Sequence, residues 1–149
     1  MKLTSPQFED GGKMPEKIAY IRENVNPELE IESVPEEAES LALIMDDPDA
    51  VEPAGKIWLH WTAWNIPVGK EVIEEGESVG VEGTTDFRQT GYDGPNPPDG
   101  DHTYVFRLYA LDTELDLDEG ASREELEDAM EEHVVEKAEL RGVFERIEE

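Results

Sequence analysis

Thr103-Tyr104-Val105-Phe106-Arg107-Leu108-Tyr109-Ala110-Leu111 decides the fold. Side chains on an extended chain alternate between faces, so Tyr104, Phe106 and Leu108 lie on one side and Val105, Arg107 and Tyr109 on the other. Aromatic and β-branched residues suit a pleated surface, and this stretch reads as a central strand. Upstream, Leu41-Ala42-Leu43-Ile44-Met45 is a short continuous apolar run that ends at an Asp/Pro turn, the pattern of a buried strand. Lys56 to Ile66 is rich in Trp and β-compatible residues and closes at Pro67-Val68-Gly69. Alternation there places Trp58, His60, Thr62 and Trp64 on one face. Leu29 and Ile31 alternate with acids as in a half-exposed strand. Glu75 to Asp101 is Gly/Pro-rich and reads as a long loop.

Downstream, Ser122 and Glu125 form a capping box ahead of Leu126, Ala129, Met130 and His133 at helical spacing. Gly142 then introduces Val143-Phe144-Glu145-Arg146-Ile147, read as a final strand. These elements predict a single mainly β domain over 1–149: two packed antiparallel sheets in a β-sandwich, with one short helix near the C-terminus.

Charge constrains the setting. Thirty-nine acidic against twelve basic residues give a net charge of −27 over 149 residues. The acids are scattered between apolar strands rather than gathered in a tail, which points to a folded domain with an acid-coated surface. Such a surface repels itself in dilute buffer and is screened in molar salt. The expectation is a halophilic, cytoplasmic protein of haloarchaeal source. Nucleic-acid binding requires a basic footprint that is missing. The sequence has no cysteine, no signal-like leader at Met1-Lys2-Leu3 and no apolar run long enough to span a bilayer.

The chemistry-bearing residues converge on the start of the central strand. Gly91-Tyr92-Asp93-Gly94-Pro95-Asn96-Pro97-Pro98-Asp99-Gly100-Asp101 is a stiff loop that delivers His102 and Tyr104 onto one strand face. Asp47 and Asp49 flank Pro48, which fixes the local backbone. One carboxylate can accept an imidazole N–H, set the tautomer and leave the other ring nitrogen for a ligand. Gly94 would let the backbone approach a phosphate-sized group. Taken alone, His60 reads as a core histidine hydrogen-bonded to the backbone, and Asp47-Pro48-Asp49 as an acidic turn.

Other motifs lead nowhere. Gly76-Glu77-Ser78-Val79-Gly80 has nucleophile-elbow spacing, but Val81-Glu82-Gly83-Thr84 cannot open the helix that motif needs. His60, His102 and an aspartate could suit zinc or iron, yet no His-x-His or His-Glu-x-x-His spacing supports a metal site. No cofactor motif is present.

Asp47-Pro48-Asp49-Ala50, Trp58-Leu59-His60-Trp61 with Asn65-Ile66-Pro67, Gly91-Tyr92-x-Gly94-Pro95-x-Pro97-Pro98 and His102-x-Tyr104 resemble, in that order, the motifs of the phosphatidylethanolamine-binding, or Raf-kinase-inhibitor-like, family. Ala138-Glu139-Leu140-x-Gly142-Val143-Phe144-Glu145-Arg146 resembles the family's ending. The chain is similar to the short prokaryotic branch. The resemblance implies a β-sandwich with a small anion pocket formed by Asp47, Asp49, His60, Gly94, Pro95, His102 and Tyr104. Val51, the stretch Gly83-Thr84-Thr85-Asp86, Arg88 and Asn96 depart from the family pattern, all beside the pocket rather than in it.

The leading expectation is a non-enzymatic binding module for a phosphate-like or phospholipid head-group ligand. The alternative is an inhibitor or scaffold acting on a kinase or protease. A third reading, a metal- or histidine-dependent hydrolase, lacks a supporting motif. A homodimer is a further implication of the prokaryotic resemblance, and no stable membrane insertion is expected.

Overall fold

The computed structural model describes residues 1–147. Its elements, in order, are β1 (Lys2–Thr4), β2 (Gly12–Lys13), β3 (Leu29–Glu32), β4 (Ser40–Asp47), α1 (Val51–Ala54), β5 (Trp58–Ile66), β6 (Val72–Ile73), β7 (Val81–Glu82), β8 (His102–Leu111), α2 (Arg123–Met130) and β9 (Val134–Phe144). Single 3-10 turns occupy Glu16–Ile18 and Pro48–Ala50. Strands β1-β3-β6 form a three-stranded sheet, and β2-β9-β8-β4-β5-β7 a six-stranded one. All pairings are antiparallel except the two-residue β2–β9 pairing, which is parallel. The mainly β, two-sheet expectation holds, with α1 as an additional helical turn.

The larger core lies between the sheets. Leu3, Leu29, Ile31 and Ile73 meet Leu43, Met45, Trp61, Phe106, Leu108 and Leu140 there. On the far face of the six-stranded sheet, Ala42, Ile44, Leu59, Trp64 and Leu111 pack with Leu126 and Met130 of α2. Strand β4 is therefore covered on both faces, and a strand covered on both faces needs an unbroken apolar run. Ser122 caps α2 through a complete capping box with Glu125. The helix stops at Met130, and His133 lies beyond it, 2.8 Å from Asp112.

Burial on that far face extends to charge. Arg107 of β8 donates from Nε and Nη2 to both oxygens of the buried Asp46, each at 3.1 Å, and from Nη1 to Glu139 at 2.9 Å. Arg123, the first residue of α2, approaches the same Asp46 to 2.8 Å. A carboxylate out of water is tolerable because two guanidinium groups hold it.

Three expectations are corrected. Strand β5 does not alternate regularly. Met45 pairs with Trp61 and Asp46 with Leu59, so His60 is an extra residue in a bulge; a second irregularity lies between the Leu41–Ile66 and Leu43–Ala63 pairs. Asn65, at φ +54°, falls within that second irregularity and bonds through both ends of its amide to the Leu115 backbone, at 2.8 and 2.7 Å. Trp58 and His60 consequently share a cavity, whereas Trp64 sits in the α2-side core. Thr62 goes with Trp64, both pressing on Gly83, where an added Cβ would lie 2.3 Å from Thr62 Oγ1.

The final strand is longer and earlier than expected. β9 pairs with β8 from Val134 to Phe144, and Glu145 to Ile147 are outside any strand. Gly142 belongs inside this strand because Met14 and Phe8 pack across it; an added Cβ would come 2.4 Å from Met14 Cγ. The stretch from Glu75 to Asp101 also contains the short β7 and a Thr84–Thr90 bridge. Among the described residues, no helix is long and apolar enough to cross a membrane.

Candidate functional site

Strand β4 ends in Asp46-Asp47, and the backbone then turns through Pro48–Ala50. Asp47 caps this turn, its Oδ1 accepting from the Asp49 N–H at 3.0 Å. Its Oδ2 faces His102 Nδ1 at 2.5 Å. The other ring nitrogen of His102, Nε2, meets Asp99 Oδ1 at 2.6 Å. With both carboxylates ionised, each accepts from the ring, so both nitrogens carry protons and His102 is an imidazolium. Burial opposes the charge, yet the hydrogen bonds to Asp47 and Asp99 prevail and raise the ring's pKa above its ordinary value. Burial raises the pKa of Asp47, with His102 pulling it back down.

His60 is handled in the opposite way. Its Nδ1 lies 2.7 Å from the Asp93 carbonyl oxygen, which can only accept, so Nδ1 carries the proton and Nε2 keeps the lone pair. Phe87 at 5.5 Å and Tyr104 at 5.1 Å flank the ring. Burial pushes its pKa down to about 4, the bonds to the Asp93 and Gly94 backbone opposing weakly. It is neutral at pH 7. Asp93 fixes this arrangement: its N–H donates to the His60 carbonyl at 2.9 Å, and its carboxylate accepts from Thr85 Oγ1 at 2.7 Å and Asn24 Nδ2 at 3.3 Å.

Between the two histidines lies a cavity of about 180 Å³, lined by Asp47, Ala50, Pro53, Ala54, Trp58, His60, Phe87, Asn96, Pro98, His102 and Tyr104. Larger surface hollows exist, such as one of about 370 Å³ beside Lys13, Arg22 and Arg146, which holds neither site histidine. Two cavity-wall donors, Trp58 Nε1 and the Tyr104 hydroxyl, are buried with no well-formed hydrogen bond among the described residues, the phenol lying beside Asp47 and the Asn96 backbone. The phenol's pKa is raised, by burial first and then by the nearby Asp47 charge, so it remains a donor. Unpaired buried donors are costly, and such a pair marks a place for an acceptor.

Of the residues expected at the site, Asp47, His60, His102 and Tyr104 come together on the cavity wall. Asp49, Gly94 and Pro95 do not line it. The Asp49 carboxylate accepts from the Thr103 N–H at 2.8 Å and so fixes the start of β8. Gly94 meets the chain itself: an added Cβ would lie 1.9 Å from the Ile18 carbonyl oxygen, and its N–H donates to Asn24 Oδ1 at 2.7 Å. Pro95 accepts from the Tyr20 N–H at 3.0 Å. Asn96, expected beside the pocket, is part of its wall. The expectation that His102 offers a free nitrogen is also corrected, because Asp99 occupies it. The pocket set expected from the sequence lacked Ala50, Trp58, Phe87, Pro98 and the α1 residues Pro53 and Ala54. Of these, Ala50, Trp58 and Pro98 stood in motifs the sequence itself displays, whereas Phe87 and the α1 residues carried no local signal.

Residues 4–145 match the phosphatidylethanolamine-binding protein family. The chain belongs to this family. A UPF0098 protein of Methanothermobacter thermautotrophicus is 45% identical to it over 153 residues, covering 98% of this chain and 99% of that protein. YbhB of Escherichia coli, also a UPF0098 protein, is 39% identical, covering 82% of this chain and 85% of its own. Among solved structures, a phosphatidylethanolamine-binding protein homologue from Chlamydia trachomatis superposes with a TM-score of 0.93 at 36% identity, covering 98% of this chain and 97% of that one. YbcL of E. coli superposes with a TM-score of 0.88 at 27% identity, covering 99% and 98%. These relatives come from archaea and bacteria alike and give no support to the expected haloarchaeal source.

Proposed function

We propose that this family member is a non-enzymatic binding module whose cavity holds a small oxyanion of the phosphate or phosphomonoester head-group kind. The observation that carries the reading is the pair of donors without a well-formed hydrogen bond, Trp58 Nε1 and Tyr104 Oη, at one cavity. An oxyanion supplies the acceptors they lack. Neutral His60 adds a lone pair, which suits an oxyacid that retains one hydroxyl, such as a phosphate monoanion. The His102 imidazolium, its charge balanced by Asp47, contributes an N–H donor at the same wall rather than net positive charge. At about 180 Å³ the cavity is smaller than the ~300–1,000 Å³ that encloses drug-sized ligands, so it fits a head group and not a lipid chain.

The test is a titration with phosphate and with phosphoethanolamine in molar KCl, following the Trp58 indole N–H and the His102 ring by NMR. Saturable shifts at both are expected, with affinity falling as pH rises through the raised His102 pKa. Trp58→Phe and Tyr104→Phe should each weaken binding about tenfold, the value of one hydrogen bond to a charged group. An indole signal that stays still into the tens of millimolar for both ligands would overturn the reading.

A further inference from the structure

His102 Nε2 is already occupied by a carboxylate oxygen of this same chain. Asp99 Oδ1 lies 2.6 Å from it, the distance at which a bound oxyanion would sit. The geometry points to Asp99 as an internal competitor: its carboxylate is the resident occupant of the His102 anion position, and a ligand engages the imidazolium by displacing it. This inference rests on the oxyanion reading above and adds to it the residue that sets affinity and selectivity.

The construction differs at the two ends of the ring. Asp47, on Nδ1, is buried within a strand, with a side chain only 4% exposed, and is tied by its cap to the Asp49 N–H. It cannot leave. Asp99 sits on the outer loop with half of its side chain, 52%, in solvent. Space around the adjoining Gly100 is open, with nothing within 4 Å of where a Cβ would be. On the other side, Pro97 is buried, and Pro95 is pinned through its carbonyl to the Tyr20 N–H. The stem of the loop is tied down, and its tip faces open space. A carboxylate on such a tip can swing into water, at the modest cost of an exposed ion pair.

Displacement also has an electrostatic reason. With Asp99 in place, one imidazolium is shared by two carboxylates, leaving the group net negative and repelling any incoming anion. With Asp99 displaced, Asp47 and His102 form a neutral pair and a ligand oxygen takes the free Nε2–H. The titratable groups facing His102 are Asp47 from β4, Asp99 from the loop, and Tyr104 from β8 itself. Asp99 alone of these is able to exchange with solvent without unfolding a strand or a cap.

The experiment compares wild type, Asp99→Ala and, as a charge control, Asp101→Ala, titrated with inorganic phosphate at pH 5.5 in molar KCl. That pH lies below the ordinary histidine value, and so below the raised one of wild-type His102. The expected result is phosphate binding about tenfold or more tighter in Asp99→Ala, from removal of a like charge at contact distance, with Asp101→Ala close to wild type. In the absence of phosphate, the His102 titration midpoint should fall in Asp99→Ala and hold in Asp101→Ala. Equal or weaker binding by Asp99→Ala beside a wild type that binds would overturn the competitor and leave the cavity reading intact. An equal gain in Asp101→Ala would also overturn it, by showing a general charge effect. Silence of the Trp58 indole in all three proteins would overturn both readings.

Discussion

The two histidines of the cavity are equally hidden, 2% exposed for His60 and 3% for His102, yet they carry opposite charge states. His60 lies in a bulge in mid-strand, among aromatic rings, with a backbone carbonyl as its partner. His102 opens β8 between two carboxylates. Burial pushes both rings towards neutrality, and only His102 has charge-bearing partners strong enough to reverse it. The charge of a site histidine in this fold is decided by the partner and not by depth.

The largest test of that contrast is pH. A His60 pKa of about 4 in the folded chain, against 6.5 unfolded, means that its stabilising contribution is intact above pH 6.5 and is lost as pH falls towards 4. The loss approaches about 3 kcal/mol. Urea unfolding of wild type and His60→Gln at pH 7 and pH 4 should show wild type losing ground to the variant by that amount; parallel profiles would remove the contrast. His102 has the opposite sign. Its raised folded pKa gives a contribution that is full below pH 6.5 and is lost as pH rises through the folded value.

A smaller effect comes from Asp47→Asn, which exchanges a charged acceptor for a neutral one. It should cost about 2 kcal/mol in urea unfolding at pH 6 and lower the His102 midpoint. A midpoint that stayed high would shift the role of charge partner to Asp99 alone. The smallest is the stability of Asp99→Ala. Its half-exposed pairing predicts a loss under about 1 kcal/mol in the same assay, so any gain in phosphate affinity is read on an otherwise unchanged fold.

Much of this arrangement was legible in the residues themselves. The apolar run Leu41–Met45, the alternation from Thr103 to Leu111 and the Ser122–Glu125 box each carry a local signature of burial, pleat or cap. The pairing of an Asp47-Pro48-Asp49 carboxylate with an imidazole was also readable. What escaped depends on neighbours distant in sequence. The His60 bulge is defined only by the register against β4, and it redirects Thr62 and Trp64. Gly142 resembles a breaker until Met14 and Phe8 arrive to cover it. Gly94 has a glycine's freedom for the sake of the Ile18 carbonyl and not a ligand, and Asp99 gave no hint of curling back three residues onto His102.

The sheet order has a kinetic consequence. Asp47 and His102 are 55 residues apart and become neighbours only when β8 pairs with β4, after β5 and the long loop have been made. Closing a loop of that length must precede the contacts that reward it, and β-rich chains dominated by such pairings fold in about milliseconds to seconds. Until β8 docks, Asp47 has no cation and His60 lacks the Tyr104 side of its aromatic wall. The raised His102 titration is therefore a reporter of β8 docking: in a refolding experiment it should appear only after the β4–β5 hairpin has formed.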